Sequence, residues 1–583
     1  MQRAPFTTAH IASIDGLRAL AVTAVILYHL GINWIPGGFL GVDLFFVISG
    51  YVITRLILDS IESANGLDLR EFYSARIRRL LPALVVALIA TSLIIALTAP
   101  DAIRRYVSDV PYVLLGINNW HLVALHQDYF QAIGRPPLLQ HTWSLGVESQ
   151  FYLLWPIILV FVWKRFGKRF VRSAALVIAT FSGAALFLFS IAADNATAGR
   201  ISHIYFGTDT HSIGLFLGSA LAVSWIPKNL SAGISQRAQD FIDGIGVFGL
   251  IGLISIFLFI DETNATLYQL AFPLAGIFGC ATIISLVHPA SRFSPLLSNR
   301  AFLWIGQRSY GIYLWHWIVF QVTRPSTDLA GSLLPLNLAR ILLVLTLADI
   351  SLRIIEIPIR RGHVQNWFRG MKYRTKIMQK RQKIFVSSVL IFILTLTGSS
   401  IAVAWQRDAS IILELKPELE LPQTVISESR TGLWVTGDSV ILGIKNKLAE
   451  KEDLSLINAR VGRQIQELIT EVQKDKPRVS ASAVVLNVGN NNAVSREDMT
   501  KLMELLSDEP KIVVVNTAVP RTWRSGNNKI ISEVVANYAN ATLVDWEHIS
   551  ENHPEFFAPD GVHLIEAGSD VYVASILEAL NGN

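Results

Sequence analysis

Residues 360–405, RRGHVQNWFRGMKYRTKIMQKRQKIFVSSVLIFILTLTGSSIAVAW, join two parts of opposite character. From Arg360 to Lys383 the stretch is strongly basic and holds no Asp or Glu, whereas 384–405 carries no charged residue. A run of about 20 apolar residues is what a helix needs to cross the hydrocarbon layer of a membrane. A basic block ahead of such a run marks the cytoplasmic side. The segment reads as a last crossing that carries everything after it to the outer side.

Upstream, apolar stretches recur at 13–31, 38–58, 80–98, 143–163, 172–192, 208–226, 241–260, 267–287, 301–321 and 336–355, which with 384–405 makes eleven predicted crossings. The run 108–125, SDVPYVLLGINNWHLVAL, is interrupted by Pro111, Asn118 and Asn119. Such groups at membrane depth must find partners inside the protein, so it reads as interfacial or re-entrant. Charge then sets the direction. Arg70, Arg76, Arg78 and Arg79 precede the third crossing, and Lys164, Arg165, Lys168, Arg169 and Arg172 follow the fourth. With the N-terminus inside, these loops and the 360–383 block are all cytoplasmic, although Arg104-Arg105 dissents. No short h-region with a cleavage site precedes the first crossing, which itself serves for insertion. The expected division is a membrane unit at 1–383, an eleventh helix at 384–405, an extracytoplasmic linker at 406–430 and a soluble domain at 431–583.

The 583-residue chain is 51% hydrophobic and 16% charged, with mean hydropathy +0.43, an average over a membrane part and a soluble part. The net charge of +5 is gathered in loops, which implies a lipid bilayer as partner and no nucleic acid. The one cysteine, Cys280, lies in the apolar run LAGIFGCATIISLV and can form no intrachain disulfide. No metal is implied, because the histidines lack ligand spacing with Cys or carboxylates.

The first crossing, SIDGLRALAVTAVILYHL, contains Asp15, Arg18 and His29. An ionisable group at membrane depth costs about 2.5–3.5 kcal/mol on insertion scales, so each is a functional candidate. Arg18 and His29 are close to three helical turns apart, on one face and separated by about 16 Å along the axis. Asp15 shares that face, where it can pair with Arg18. Asp43, Glu148, His316, Asp349, Arg353 and Glu356 are also embedded in apolar runs, which is affordable if they satisfy one another around a shared cavity.

In order, IDGLRALAVTAVILYH, GVDLFFVISGY, FYSARIRRLLPAL, WSLGVESQFYLLWP and SYGIYLWHW closely resemble the motifs of the membrane acyltransferase-3 family over roughly the first 360 residues. The resemblance implies ten crossings plus one leading to an outer domain. It also implies acyl-CoA as donor, acetyl-CoA first, with no tightly bound cofactor, and a functional pair in Arg18 and His29. Asp15, Asp43, Arg76, Arg79, Glu148 and His316 are implied as supports of that site or of acyl-CoA binding. In YFGTDTHSIGLFLG, His211 stands where the family has arginine. An extended pantetheine arm is comparable in length to the Arg18–His29 separation, so a donor held on the inner side can present its thioester near His29. Imidazole can serve there as base or as transient acyl carrier.

From 432 the pattern is strand, turn, helix: GLWVT, GDS, VILGIKNKLAE. Ser439 is thereby placed at a strand-to-helix turn, beside the backbone N–H groups of a helix N-terminus. AVVLNV at 483–488 and KIVVVN at 511–516 read as buried strands of a parallel α/β sandwich, with a helix after His563. Asp560 and His563 are spaced so that the carboxylate can orient the ring that addresses Ser439. VGRQ, with Gly462, and VGNNN, with Gly489 and Asn491, lie between.

These four blocks resemble the SGNH hydrolase family over about 430–583, which implies a flavodoxin-like three-layer fold. Carried over, Ser439 is nucleophile, His563 base and Asp560 the orienting acid, with the Gly462 N–H and the Asn491 amide as oxyanion donors. GDSVILG, INARVGRQ, VNTAVPRTW, LVDW and DGVHL are particularly similar to fused acyltransferase-3/SGNH peptidoglycan O-acetyltransferases, although Gly-Asn-Asn-Asn replaces the usual Gly-Thr-Asn-Gly of the third block. The expectation is an O-acyltransferase of the bacterial cytoplasmic membrane, acting on hydroxyls of a cell-envelope glycan. Peptidoglycan leads, ahead of lipopolysaccharide O-antigen or exopolysaccharide. A glycan esterase and a transporter with a sensor domain are the competing classes.

Overall fold

The computed structural model describes residues 11–63, 66–125, 135–193, 198–261, 267–325, 328–329, 332–419, 424–426, 432–460, 462–479, 482–519, 521, 523–558 and 561–582. A helix occupies each apolar stretch of the membrane unit. In chain order the helices are α1 (Ala12–His29), α2 (Gly41–Ile61), α3 (Leu69–Thr98), α4 (Ile103–Leu115), α5 (Asn118–Ala124), α6 (Trp143–Phe166), α7 (Lys168–Ala193), α8 (Ala198–Phe206) and α9 (Thr208–His211). They continue with α10 (Ile213–Ser224), α11 (Gln236–Phe259), α12 (Phe272–Leu286), α13 (Ser294–Leu297), α14 (Arg300–Val322), α15 (Leu333–Ile350), α16 (Ile357–Arg360), α17 (His363–Arg369) and α18 (Lys376–Leu419). Among the described residues, eight helical segments are long and apolar enough to cross a membrane.

Glycines let these helices approach closely. A Cβ on Gly306 of α14 would stand 1.9 Å from the Asp15 carbonyl oxygen of α1, and one on Gly50 of α2 would stand 1.9 Å from that of Leu215 of α10. Backbones can meet in this way only where the side chain is absent. On the opposite faces, Phe181, Leu188, Phe248, Leu342 and Phe392 are exposed, as a lipid solvent permits.

The interrupted run forms the short pair α4–α5. Its two asparagines find partners inside the protein: the Asn118 amide donates to Thr142 Oγ1 (2.9 Å), and the Asn119 amide donates to the Phe206 carbonyl and Thr208 Oγ1 (3.0 Å each). The dissenting basic pair is neutralised locally, Arg104 by Asp408 of α18 and Arg105 by Asp109.

Two expectations are corrected. The stretch 208–226 is not one helix, because it breaks between α9 and α10 at Ser212. The region 406–430 is not all linker: α18 continues to Leu419, and Thr424–Ile426 forms a strand. Apolar length marks where a helix is buried in lipid but says nothing of how far it extends beyond.

Among the described residues the C-terminal part forms one six-stranded sheet, β1 (Thr424–Ile426), β2 (Leu433–Gly437), β3 (Leu454–Ala459), β4 (Ala483–Asn487), β5 (Ile512–Val515) and β6 (Ala541–Val544), ordered β1-β3-β2-β4-β5-β6. β1 runs antiparallel to β3, and the other pairs are parallel. Alternation sends Val435, Ile457, Val485 and Val513 to one apolar layer and Trp434, Leu456, Val484 and Val514 to the other. The helices α19 (Ser439–Ala449), α20 (Ile465–Asp475), α21 (Arg496–Leu505), α22 (Arg524–Val535), α23 (Trp546–Ile549) and α24 (Glu566–Asn581) complete the fold. The strand order reverses at β2, whose two neighbours lead in opposite directions. The carboxyl end of such a strand opens a crevice, the usual ligand position in doubly wound sheets.

Candidate active site

In the membrane unit, α1 carries Arg18 near its start and His29 at its end, and each lies in a different polar cluster. At the His29 end, the imidazoles of His29, His141 and His316 gather. His316 Nε2 lies 3.1 Å from His29 Nδ1, and His316 Nδ1 lies 2.6 Å from the Tyr313 carbonyl oxygen. The His141 and His316 ring centroids are 5.8 Å apart, and Trp317 packs edge-on to His29 at 4.9 Å.

These contacts fix the tautomers of neutral rings. A carbonyl oxygen can only accept, so His316 Nδ1 carries its proton and its Nε2 presents a lone pair. His29 Nδ1 then donates to that lone pair, and the Val25 carbonyl, one turn earlier on α1, also holds the His29 ring. His141 follows the same logic: its Nε2 donates to the Leu314 carbonyl (3.2 Å), and its Nδ1 is buried with no hydrogen-bond partner among the described residues. Sequence reasoning passed over His141, although it opens the HTWSLG motif; a histidine beside an apolar helix gave no sign that it faced two others.

At the Arg18 end lies a cavity with about 740 Å³ of empty space, part of it open to solvent, lined among others by Arg18, Arg76, Arg79, Ser49, Glu148 and Tyr152. Arg18 is paired with Asp15 at 3.0 Å. Glu148 accepts from Ser49 and from the Tyr152 hydroxyl. Arg76 and Arg360 both feel the charges of Arg79 and Arg18, so four guanidinium groups converge. The buried Arg76 Nε has no hydrogen-bond partner among the described residues. A cluster of like charges holding an unused buried donor is suited to an anion. Arg360 was not singled out from the sequence, being hidden in a basic block that reads as topology alone.

Asp43 does not line this cavity. It is buried beside His211, whose Nε2 lies 3.0 Å from Asp43 Oδ1 and whose Nδ1 lies 2.6 Å from the Tyr205 carbonyl. The two ring nitrogens of His211 thus engage the Tyr205 carbonyl on one side and the Asp43 carboxyl on the other. Asp349 pairs with Arg308 and Arg353, and Glu356 accepts from Ser351. These acids satisfy neighbours on their own and adjoining helices.

In the soluble part, Gly437 ends β2, Asp438 caps α19 and Ser439 is the first residue of that helix. Asp438 Oδ1 accepts from the Val440 N–H at 2.9 Å, which fixes the turn. Burial pushes the Asp438 carboxyl up to about 6, against the opposing pull of the Val440 N–H and of nearby His563. The Ser439 hydroxyl is buried and has no hydrogen-bond partner among the described residues. It sits at the positive end of a helix, where an oxyanion is stabilised.

Gly462 and Gly489 adopt the left-handed backbone region, with φ of 76° and 96°. The Asn491 amide does not stand free as an oxyanion donor; it donates to Asp438 Oδ2 (2.7 Å) and to the Arg463 carbonyl (3.2 Å), and so holds the loop against the Ser439 turn. Its unusual flanking asparagines are internal braces: Asn490 binds Asn487 and accepts from Thr517, and Asn492 donates to Gln466. His563 lies immediately before Leu564, which pairs with Phe557 in a short antiparallel bridge just ahead of α24. Asp560 lies outside the described residues.

A helical membrane bundle with clustered buried imidazoles, continued by a doubly wound domain with a serine at the switch-point helix, is the architecture of an integral-membrane enzyme with an appended serine-hydrolase-like unit. An acyltransferase-domain family profile matches residues 11–350. The peptidoglycan O-acetyltransferase OatA of Listeria monocytogenes is 31% identical, over 99% of this chain and 99% of its own length. The O-acetyltransferase OatA of Staphylococcus aureus is 32% identical, over 99% and 97%. The C-terminal catalytic domain of Streptococcus pneumoniae peptidoglycan O-acetyltransferase A, solved with a methylsulfonyl adduct, is similar at 23% identity and a TM-score of 0.24, over 26% of this chain and 93% of that one. The chain belongs to this acyltransferase family and is an acyltransferase enzyme.

Proposed function

We propose that the protein moves an acetyl group from cytoplasmic acetyl-CoA to hydroxyls of peptidoglycan on the outer side of the membrane. The observation that carries this reading is the buried gathering of His29 with His316 and His141 at one end of α1, with the arginine-lined cavity at the other end. The arginine-lined cavity at the other end of α1 has the charge to hold the phosphates of the donor. His29 either takes the acetyl group from the thioester carbon, with coenzyme A leaving as its thiol, or draws the proton from the hydroxyl that does. Outside, the Ser439 hydroxyl carries the acetyl group as an ester, and His563, oriented by Asp560, takes the proton of each attacking hydroxyl in turn. The full-length relatives named for peptidoglycan O-acetylation support that acceptor.

The test is mass spectrometry of cell-wall glycan from cells with the wild-type protein and with Ser439→Ala. Glycan acetylation falls in the variant if the enzyme is a transferase. It rises if Ser439 serves an esterase, which would overturn the reading.

A further inference from the structure

The cavity that reaches Arg18, Arg76 and Arg79 stops short of the imidazoles. None of His29, His141 and His316 lines it, whereas Tyr313, Ser144 and Phe45 do. Tyr313 stands between the two compartments: its ring is 5.3 Å from that of His316 and 5.7 Å from that of His141. It is held there at both ends. Its hydroxyl donates to the His141 carbonyl (2.8 Å) and accepts from Ser144 Oγ (2.7 Å), while its own carbonyl accepts from His316 Nδ1–H. Phe45 packs edge-on against it, at 6.4 Å between ring centroids.

We infer that Tyr313 is the constriction that sets the size of the acyl group able to pass from the arginine-lined cavity to His29. This rests on the donor reading given above. A tethered aromatic ring cannot swing freely without breaking two buried hydrogen bonds, so the passage beside it admits a small flat acetyl group and refuses chains that need more width. Ser144 and the His141 carbonyl are positioning groups, because they hold the ring without meeting the acyl group.

The experiment uses the full-length protein in proteoliposomes, supplied in turn with acetyl-CoA, propionyl-CoA and butyryl-CoA and with a purified peptidoglycan fragment. The butyryl-to-acetyl transfer ratio rises by about tenfold or more in Tyr313→Ala, the scale set by methylenes admitted to or refused by a tight pocket, and rises by less in Tyr313→Phe, which keeps the ring but loses both tethers. Tyr313→Leu serves if the alanine variant does not fold. A second arm needs no donor. In a Cys280→Ser background, His29→Cys is exposed from the Arg18 side to methyl and benzyl methanethiosulfonate. The benzyl reagent gains on the methyl one when Tyr313→Ala is added. Failure of the wild type to use any acyl-CoA, with this size effect retained, overturns the donor and leaves the constriction standing. Unchanged ratios in both arms overturn the constriction.

Discussion

Replacing His316 by phenylalanine separates orientation from chemistry. The phenyl ring keeps the bulk that packs among His29, His141 and Phe320, but removes the Nε2 acceptor 3.1 Å from His29 Nδ1. One buried hydrogen bond contributes about 0.5–1.5 kcal/mol, and each 1.36 kcal/mol is tenfold in rate, so a role in choosing the His29 tautomer predicts a loss of about 2- to 13-fold. His29→Ala removes the reacting group itself, and its expected loss is about 10²- to 10⁴-fold. The double variant should be no worse than His29→Ala, because an orienting partner has nothing left to orient. The assay is the initial rate of acetyl transfer from labelled acetyl-CoA to a peptidoglycan fragment, in membranes matched for protein. The loss falls on kcat, with KM for the donor steady, since His316 does not line the arginine cavity. A His316→Phe variant as inactive as His29→Ala would make His316 the acting base and refute the orientation. A variant with full activity would show that the bond selects nothing.

Three further outcomes follow from the same geometry. Arg76→Gln removes a charge from the guanidinium cluster and should raise KM for acetyl-CoA more than it lowers kcat, with the effect shrinking at high salt; an unchanged KM counts against a phosphate site. Asp438, held near 6, binds its proton more tightly in the folded state than an ordinary carboxyl does unfolded. Its contribution to stability is therefore complete below about pH 4 and lost as pH rises through about 6, and Asp438→Asn should flatten that part of the stability profile, followed by protease resistance of the C-terminal part of the full-length protein. Gly306→Val drives side-chain atoms into the Asp15 carbonyl, so α1 and α14 must part; overpacking of this kind costs about 1–3 kcal/mol, and detergent-solubilised protein should melt earlier and lose transfer, whereas an unchanged melting temperature denies the close contact.

Much of the fold could be read from the chain because its signals are local. Apolar length located the helices, and the run interrupted by Pro111, Asn118 and Asn119 does not form a single helix. The extent of α18 past Trp405 and the break at Ser212 escaped, since neither depends on hydropathy. In the soluble part, strand, turn and helix around Gly437-Asp438-Ser439 came from adjacent residues. That Asn491 is turned toward Asp438 did not, because its partner is 53 positions away.

Sequence by itself determined which residues are chemically able: an arginine and a histidine three turns apart on one helix, and a serine at the mouth of another. How His29 meets His316, how His141 and Arg360 join residues far from them in the chain, and where Tyr313 closes the cavity were decided only by packing. A hydrogen bond depends on tenths of an ångström and on direction. Those quantities exist only once α1 and α14 are pressed together through Gly306, which lets their backbones touch.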